Sequence, residues 1–379
     1  MTEFTKPTVS PFRYDIVGSF LRPAELKEAR AKFKKSQISR QQLSAIEDKC
    51  IIDLIQKEEK VGLKAVTDGE FRRSYWHLDF FWGLQGVKHV QLKHGYFFHD
   101  EETRKDSAQV EGQISGENYP FVDYFKFVRD HVSPGIQVKQ TIPAPAQFLE
   151  ELIRPESQAS VVEHYDSLAD LDHYVAAAYH QVITDLYNAG CRTLQLDDCT
   201  WGISVNNFAN LKKKDPQADT SQLKQLQERF LKVNNEAIAG LPVDLTINTH
   251  VCRGNYHSTW AASGGYGPVA DTLFAKETVK AFYLEYDSDR AGGFEPLAKV
   301  PDDKYVVVGL VTSKSGKLED KQTIIDRLHE AAKFHPLDKL CLSPQCGFAS
   351  TEEGNILTEE QQWNKIKFIE EIAAEVWGE

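Results

Sequence analysis

Short apolar runs alternate along the chain with longer stretches in which apolar residues recur at helical spacing. The runs are mostly four to seven residues long and rich in β-branched and aromatic residues, as is typical of buried parallel strands. Eight runs predict strands: Tyr14–Val17, Lys64–Thr67, Ile136–Thr141, Arg192–Leu196, Asp244–Thr249, Lys280–Glu285, Tyr305–Leu310 and Lys339–Leu342. Amphipathic stretches that predict helices lie between most of them: Arg40–Val61, Asp170–Ala189, Ser221–Ala239, Asp320–Phe334 and Thr358–Val376. Eight strand–helix units in one chain predict an α/β fold, namely a TIM (β/α)8 barrel.

The chain has 379 residues, whereas barrels of this kind commonly have about 250. Two regions account for most of the excess. The segment Pro23–Val61 predicts an extra pair of N-terminal helices. The polar segment Val87–Tyr119, between the second and third predicted strands, alternates in places and predicts an inserted arm like a β-hairpin. Because no long linker or internal repeat divides the sequence, we expect residues 1–379 to form one barrel domain, with the arm at residues 87–119.

Composition and charge narrow the functional classes. A formal net charge of −12 disfavours non-specific binding to nucleic acid. No window approaches about 18 uninterrupted apolar residues, so we expect no membrane-spanning helix. The N-terminal residues lack the apolar centre of a signal peptide, and we therefore expect a cytoplasmic location. Six cysteines in so long a chain are not a disulfide framework; in a reducing compartment they are free thiols, core residues or metal ligands. The sequence does not indicate an oligomeric state.

Candidate metal ligands follow several of the predicted strands, where TIM barrels carry their chemistry. His250 and Cys252 end the fifth strand, and their spacing places both side chains on one side of an extended backbone. Glu285 ends the sixth strand, and Cys346 follows the eighth. These four residue types predict a zinc site at the barrel mouth. The alternatives are a neutral core histidine with two buried thiols, and a structural zinc, which usually uses short spacing within one loop.

The charge of this ligand set favours one kind of chemistry. Two thiolates and one carboxylate around Zn²⁺ leave a total charge of about −1, which makes the ion a poor Lewis acid for hydrolysis. Such an ion still binds a substrate thiol, removes its proton near neutral pH and leaves the sulfur electron-rich. An unassisted thiol has a pKa of about 8.5, so its thiolate is scarce at pH 7. The set therefore points to alkyl transfer onto a thiol.

Other residues after the predicted strands suggest an amino-acid pocket. Glu70 and Asp197 are candidates for binding an ammonium group, and Ser19 is a candidate for binding a carboxylate. An alternative for Glu70 is an ion pair with Arg72 or Arg73 that stabilises the loop.

Further mouth residues are candidates for the second substrate. Trp201 is a candidate for stacking on a flat cofactor, although aromatic residues also close barrels. His257 and Lys314 are candidate proton donors.

Six motifs together resemble a known family. They are IVGSF, VTDGEFRR, LQLDD, INTHVC, YLEYD and SPQCGF, and they occur in this order over nearly the whole chain. They resemble the catalytic barrel of cobalamin-independent methionine synthase, and most closely its short single-barrel relatives. The resemblance implies methyl transfer from 5-methyltetrahydrofolate, usually as a polyglutamate, to the thiol of L-homocysteine, giving methionine. It places the zinc ligands at His250, Cys252, Glu285 and Cys346, and homocysteine binding at Ser19, Glu70 and Asp197.

The sequence departs from the family at the methyl donor. The full-length enzymes carry a second barrel that helps to hold the folate tail, and this sequence has one. The loop after the seventh predicted strand has Lys314 where the family has a histidine thought to donate a proton, and the family's folate-stacking tryptophan has no match after the third strand. The donor therefore has alternatives, namely a methyl-corrinoid protein or another methyl compound. Two other classes also remain: a metal-free lyase like the related uroporphyrinogen decarboxylases, and a non-catalytic protein that binds a thiol or an amino acid.

Overall fold

A computed structural model describes residues 4–378. Its strands, in chain order, are β1 Ala65–Val66, β2 Gln85–Gln91, β3 Asp106–Ser115, β4 Gln137–Pro143, β5 Thr193–Asp198, β6 Thr246–Val251, β7 Ala281–Glu285, β8 Tyr305–Val311 and β9 Leu340–Pro344. Seven of these described strands form a curled parallel sheet in the order β1-β4-β5-β6-β7-β8-β9. Strands β2 and β3 form a separate antiparallel pair. The parallel sheet with helices between its strands confirms the predicted α/β class with a TIM-like barrel.

The first predicted strand, Tyr14–Val17, appears only as a single parallel bridge between Tyr14 and Leu342 of β9. Two backbone hydrogen bonds support it, from Asp15 N to Leu342 O (3.0 Å) and from Leu342 N to Arg13 O (2.8 Å). On the other side of this segment, side chains satisfy the backbone. The carbonyl of Val17 accepts a hydrogen bond from Gln195 Nε2 (2.7 Å), and that of Ile16 accepts one from Lys139 Nζ. Side-chain donors thus replace a regular strand ladder at this position.

Helices cover the sheet between most of its strands. They are α1 Ala24–Lys34, α2 Arg40–Lys60, α3 Leu78–Gly83, α4 Phe121–Arg129, α5 Pro145–Leu152, α6 Gln158–His164, α7 Leu168–Asn188, α8 Thr200–Lys214, α9 Ser221–Ile238, α10 Gly267–Ala270, α11 Leu273–Lys276, α12 Lys321–Ala331 and α13 Glu359–Trp377. Helices α1 and α2 lie within the segment predicted as an extra N-terminal pair. Helix α13 begins with a capping box of Thr358 and Gln361, which satisfies backbone N–H groups that the first turn leaves free. Among the described helices, none is long and apolar enough to cross a lipid bilayer.

The segment 87–119, predicted as an inserted arm, contains most of the antiparallel pair β2–β3. The loop between these two strands, residues 92–105, contacts the barrel at several points; we call it the arm loop. Tyr96 in this loop donates a hydrogen bond to Glu151 Oε2 of α5 (2.7 Å). Arg104 Nη1 lies 2.8 Å from Glu352 Oε1, which belongs to the segment between β9 and α13. The arm loop is therefore tied to two sides of the barrel.

Strand register brings the ends of the central strands to one level. Asp197 of β5 pairs with His250 of β6, and His250 pairs with Tyr283 of β7. Strands β5 and β7 are buried along their whole length, as expected for parallel strands covered on both faces. Because parallel strands end at the same edge of a sheet, residues at the ends of β5, β6 and β7 lie together at the barrel mouth.

Candidate metal and thiol site

The four predicted metal ligands come together at the mouth. Ligating atoms of His250, Glu285 and Cys346 lie within 4.8 Å of one another, and all three residues are buried. The Sγ atom of Cys252 lies 3.8 Å from that of Cys346. Side chains that are up to about a hundred positions apart in sequence thus converge because β6, β7 and β9 end at the same level.

His250 is held by hydrogen bonds on both ring nitrogens. Its Nδ1 lies 3.1 Å from Asp197 Oδ1, and its Nε2 lies 3.3 Å from the carbonyl oxygen of Gln345. Both neighbours are acceptors, so both ring nitrogens donate here. The carboxylate at Nδ1 keeps its proton on that nitrogen, and Nε2 would have to lose its proton to become a metal ligand. Burial lowers the pKa of His250, but hydrogen bonds to Asp197 and Cys346 outweigh it and raise the pKa well above its usual value.

Ionisation of Cys252 and Cys346 to thiolates is unfavourable in the absence of a cation. The pKa of Cys252 is raised well above its usual value, first by its contact with the thiol of Cys199 and then by burial. The pKa of Cys346 is raised in the same way, first by Cys252 and then by burial. Like groups packed together in a dry site resist ionisation, and a bound divalent cation reverses that preference.

Glu285 shows how well this cluster suits a metal ion. Its Oε1 accepts a hydrogen bond from the backbone N–H of Arg253 (2.8 Å). Its Oε2 is buried and has no hydrogen-bond partner among the described residues, and the guanidinium of Arg290 approaches it only to 3.6 Å. A buried carboxylate oxygen without a partner is costly, and a cation relieves that cost. One nitrogen, two sulfurs and one carboxylate oxygen make a donor set that zinc prefers, so the residues present fit this ion.

A small cavity of about 20 Å³ joins this cluster to the predicted amino-acid pocket. Its walls include Ser19, Glu70 and Asp197 together with His250, Cys252 and Cys346. Ser19 Oγ accepts a hydrogen bond from the backbone N–H of Ala349 (3.3 Å). Gly347 lies so close that a Cβ atom there would be 1.9 Å from Ser19 Oγ, so only glycine fits without moving this wall.

The structure bears on both roles suggested for Glu70, namely binding a substrate ammonium group and forming an ion pair with a neighbouring arginine. Its Oε1 lies 3.2 Å from Arg73 Nη1 and accepts a hydrogen bond from Thr141 Oγ1 (3.0 Å), so the ion pair with Arg73 exists. Its Oε2 is buried and has no hydrogen-bond partner among the described residues. Burial raises the pKa of Glu70 to about 7; Arg73 opposes this shift and Asp197 adds to it. One oxygen therefore anchors the loop, and the other is available to a ligand.

A larger cavity of about 390 Å³ lies beside the small one. Both cavities are lined by Trp76, Cys252 and Ser350. The arm loop contributes Tyr96, Phe97 and Phe98 to the walls of the large cavity, and α5 contributes Glu150. None of these four residues was predicted from the sequence to line a site. The signal was the aromatic run Tyr96-Phe97-Phe98 inside a segment that is otherwise polar.

The prediction for Trp201 is wrong. This residue is the second of α8, its side chain is fully buried in the apolar core, and it lines neither cavity. A ring without exposed surface cannot stack on a cofactor, and we correct its role to core packing.

The two candidate proton donors also lie outside both cavities. His257 Nδ1 contacts Glu101 of the arm loop (2.8 Å), and its ring stacks on Tyr256 at 4.1 Å between centroids. Lys314 Nζ donates to Asn255 Oδ1 (2.9 Å) and to Gly254 O (3.3 Å). Gly254 and Asn255 line the large cavity, so Lys314 contacts the wall of that cavity rather than its interior. Neither side chain lines a cavity in this arrangement, and a proton-donor role for either stays a prediction.

Comparisons with known proteins agree with the motifs. A family profile described as the catalytic domain of cobalamin-independent synthase matches residues 13–362. The uncharacterized proteins YxjH and YxjG of Bacillus subtilis are 43% and 41% identical to this chain, over 98% and 97% of it and over 96% and 95% of their own lengths. A solved protein from Listeria monocytogenes, provisionally described as a vitamin-B12 independent methionine synthase, is 36% identical with a TM-score of 0.76, covering 98% of this chain and 99% of its own. The resemblance stated from the motifs is confirmed: the chain belongs to the cobalamin-independent synthase family and contains its catalytic domain.

Proposed function

We propose that this protein is a zinc-dependent methyltransferase that moves a methyl group to the thiol of L-homocysteine and so forms methionine, with a donor of the 5-methyltetrahydrofolate type. The observation that carries the proposal is the small cavity, in which Ser19, Glu70 and Asp197 face His250, Cys252 and Cys346. The side chains predicted to bind an amino acid thus line the same cavity as three of the candidate metal ligands. Membership in a family of methyltransferases that act on small molecules supports the same reading.

The pocket has the groups that an amino acid requires. The unpartnered Oε2 of Glu70 and the carboxylate of Asp197 are acceptors for the substrate ammonium group. The Ser19 hydroxyl is a donor for the substrate carboxylate. Together these contacts fix one end of homocysteine, so that its thiol end extends toward Cys252 and Cys346.

His250, Cys252, Glu285 and Cys346 are the residues that would hold zinc. When bound, zinc lowers the pKa of the substrate thiol, so that the sulfur is present as a nucleophile near neutral pH. Asp197 keeps the ring of His250 in the orientation and tautomer that a ligand needs, through the contact at Nδ1. The same carboxylate accepts a hydrogen bond from Gln195 Nε2 (2.8 Å), which fixes it in turn.

The methyl transfer itself forms one bond and breaks another. The sulfur of homocysteine takes the methyl group, a carbon–sulfur bond forms, and the carbon–nitrogen bond of the donor breaks. The donor nitrogen takes up a proton and leaves as an amine. The large cavity shares Cys252 with the small one, so a donor bound there would have its methyl group beside the thiol.

Two observations weigh against the alternatives. The large cavity, about 390 Å³, has the size of an ordinary small-molecule site, typically about 300–1,000 Å³, which favours a folate over a protein-borne corrinoid. A metal-free lyase has no use for the cluster of His250, Glu285 and Cys346, whose ligating atoms lie within 4.8 Å of one another. One carboxylate oxygen of Glu285 has no hydrogen-bond partner among the described residues.

The test removes one thiol from the site. We expect Cys346→Ser to lose zinc, measured by elemental analysis, and to lose methionine formation by more than about 100-fold, because even partners of metal ligands are worth about 10–100-fold. Cys50→Ser, which changes a buried thiol on α2 far from the cluster, is the matched control and should retain both. Methionine is measured by mass from homocysteine and a panel of methyl donors. Full zinc content with normal turnover in Cys346→Ser would remove the proposal.

A further inference from the structure

One carboxylate in the wall of the large cavity, that of Glu150, has no role in the proposed function so far. Glu150 lies on α5, whose other seven residues are all buried, and it is the one residue of that helix that is only partly buried. Its side chain lines the large cavity and, among residues 4–378, makes neither a hydrogen bond nor an ion pair. Burial raises the pKa of Glu150 to about 6, with the nearby carboxylates of Asp198 and Glu151 adding to the shift.

The neighbouring Glu151 shows what a structural acid looks like here. Its Oε2 accepts a hydrogen bond from Tyr96 of the arm loop (2.7 Å), and its Oε1 accepts one from Ser107 of β3. Arg154 lies 3.5 Å from the same carboxylate. Glu151 therefore fastens the arm to the barrel and has little capacity left. Glu150 makes no comparable contacts with the protein, so its carboxylate oxygens can accept hydrogen bonds from a ligand in the cavity.

The remaining walls limit the kind of ligand. Trp76 from the β1 side, Tyr96 and Phe98 from the arm loop, and Tyr256 after β6 present aromatic rings to the cavity. Aromatic walls favour a flat ring system. A small methylated cation would also favour them, but it would leave most of about 390 Å³ unfilled. A carboxylate at the edge of such a space can accept two hydrogen bonds side by side, which matches neighbouring N–H groups on the rim of a flat ring.

We propose that Glu150 selects the methyl donor by accepting hydrogen bonds from the N–H edge of a flat nitrogen heterocycle that lies between the aromatic walls of the large cavity. The inference rests on the proposed function and specifies its second substrate. Such a ligand would have its methyl group toward Cys252, one of the three residues that line both cavities. Glu150 is thus a specificity residue for the donor and has no part in binding homocysteine.

The test compares Glu150→Gln with the wild-type holoenzyme, using 5-methyltetrahydrofolate as the probe in calorimetry. Glutamine keeps the size of the side chain but offers one acceptor oxygen in place of two. Because hydrogen bonds to a charged group are strong, we expect the dissociation constant to rise at least about tenfold. The affinity for L-methionine and the zinc content should not change. Glu163→Gln, at an exposed position of α6, is the matched control and should bind the probe like the wild type.

Two results would overturn the inference: equal affinity of the Glu150→Gln variant and the wild type for the probe, or no binding of the probe to the wild type. Neither result decides whether the protein methylates homocysteine, which is measured separately as methionine formation with the donor panel. Absence of probe binding would remove only the folate donor from the proposed function. Turnover with a methylated sulfonium donor, together with no binding of the folate, would refute the heterocycle and leave thiol methylation intact. Loss of thiol methylation with every donor would instead refute the proposed function.

Discussion

Binding of an amino acid to the small cavity should depend on pH through Glu70. The carboxylate of Glu70 must be ionised to bind the ligand ammonium group, yet in the free protein burial raises its pKa to about 7. Ligand binding therefore lowers this pKa, and the binding free energy becomes less favourable as pH falls. L-Methionine is the appropriate ligand because its thioether does not titrate, whereas the thiol of homocysteine would add a second pH dependence.

The magnitude follows from the fraction of ionised Glu70. With a pKa of about 7, that fraction falls from about nine-tenths at pH 8 to about one-tenth at pH 6. The dissociation constant for methionine should therefore rise about tenfold over this interval, or about 1.4 kcal/mol. Glu70→Gln should bind weakly at both pH values and should lose most of the pH dependence, because glutamine does not titrate.

Calorimetry of methionine binding between pH 8 and pH 6 measures this effect. Glu236→Gln, which changes an exposed carboxylate on α9, serves as the matched control and should keep the wild-type profile. A wild-type dissociation constant that stays level across the interval would show that ionisation of Glu70 does not control methionine binding. So would a Glu70→Gln profile as steep as that of the wild type.

Three further predictions concern the walls, the metal and the core. Gly347→Ala should weaken methionine binding by about tenfold, since its Cβ would lie 1.9 Å from Ser19 Oγ; unchanged calorimetric affinity would contradict this contact. Removal of zinc by a chelator should lower the melting temperature and addition of zinc should restore it, because a ligand that binds only the folded state stabilises it; a Cys346→Ser variant should show no such shift in scanning calorimetry. Trp201→Phe should lower stability by about 1–3 kcal/mol through loss of core packing while leaving the KM for the methyl donor unchanged, and a raised KM at wild-type stability would return Trp201 to the donor site.

The fold was accessible from the sequence because parallel strands buried on both faces are written as short apolar runs. Seven of the eight predicted strands overlap strands of the parallel sheet. The segment Tyr14–Val17 is the exception, since donors from Lys139 and Gln195 take the place of a ladder there, and no periodic pattern reports such side-chain contacts. That the chain forms a single domain and lies in the cytoplasm stays a prediction.

The metal cluster was predictable because strand ends are positions that a barrel brings together. The spacing of His250 and Cys252 indicated a pair of ligands, and Glu285 at the end of β7 and Cys346 just after β9 lie at the same edge of the sheet. The prediction for Trp201 is wrong and that for Lys314 stays a prediction, because the direction of each side chain depends on contacts with residues that are distant in sequence. Trp201 sits one residue into α8 and faces the core, and Lys314 is held by Asn255; neither contact leaves a trace in the local sequence.

The large cavity was not predicted for the same reason. Its walls come from the arm loop and from α5, and their meeting depends on the contact between Tyr96 and Glu151. These two residues are far apart in sequence and belong to elements of different kinds. The aromatic run in the arm loop was the sole local sign, and such runs are more often part of a core.

We propose that this cluster would hold zinc, and that the bound ion would lower the pKa of the homocysteine thiol so that its proton is released to solvent near neutral pH. Calorimetric titration of the zinc-loaded protein at pH 7, repeated in buffers of different ionisation enthalpy, measures the protons released on binding. A free thiol has a pKa of about 8.5 and is mostly protonated at pH 7. We therefore predict that binding of homocysteine releases about one proton more per site than binding of methionine does. Equal proton release by the two amino acids would contradict it.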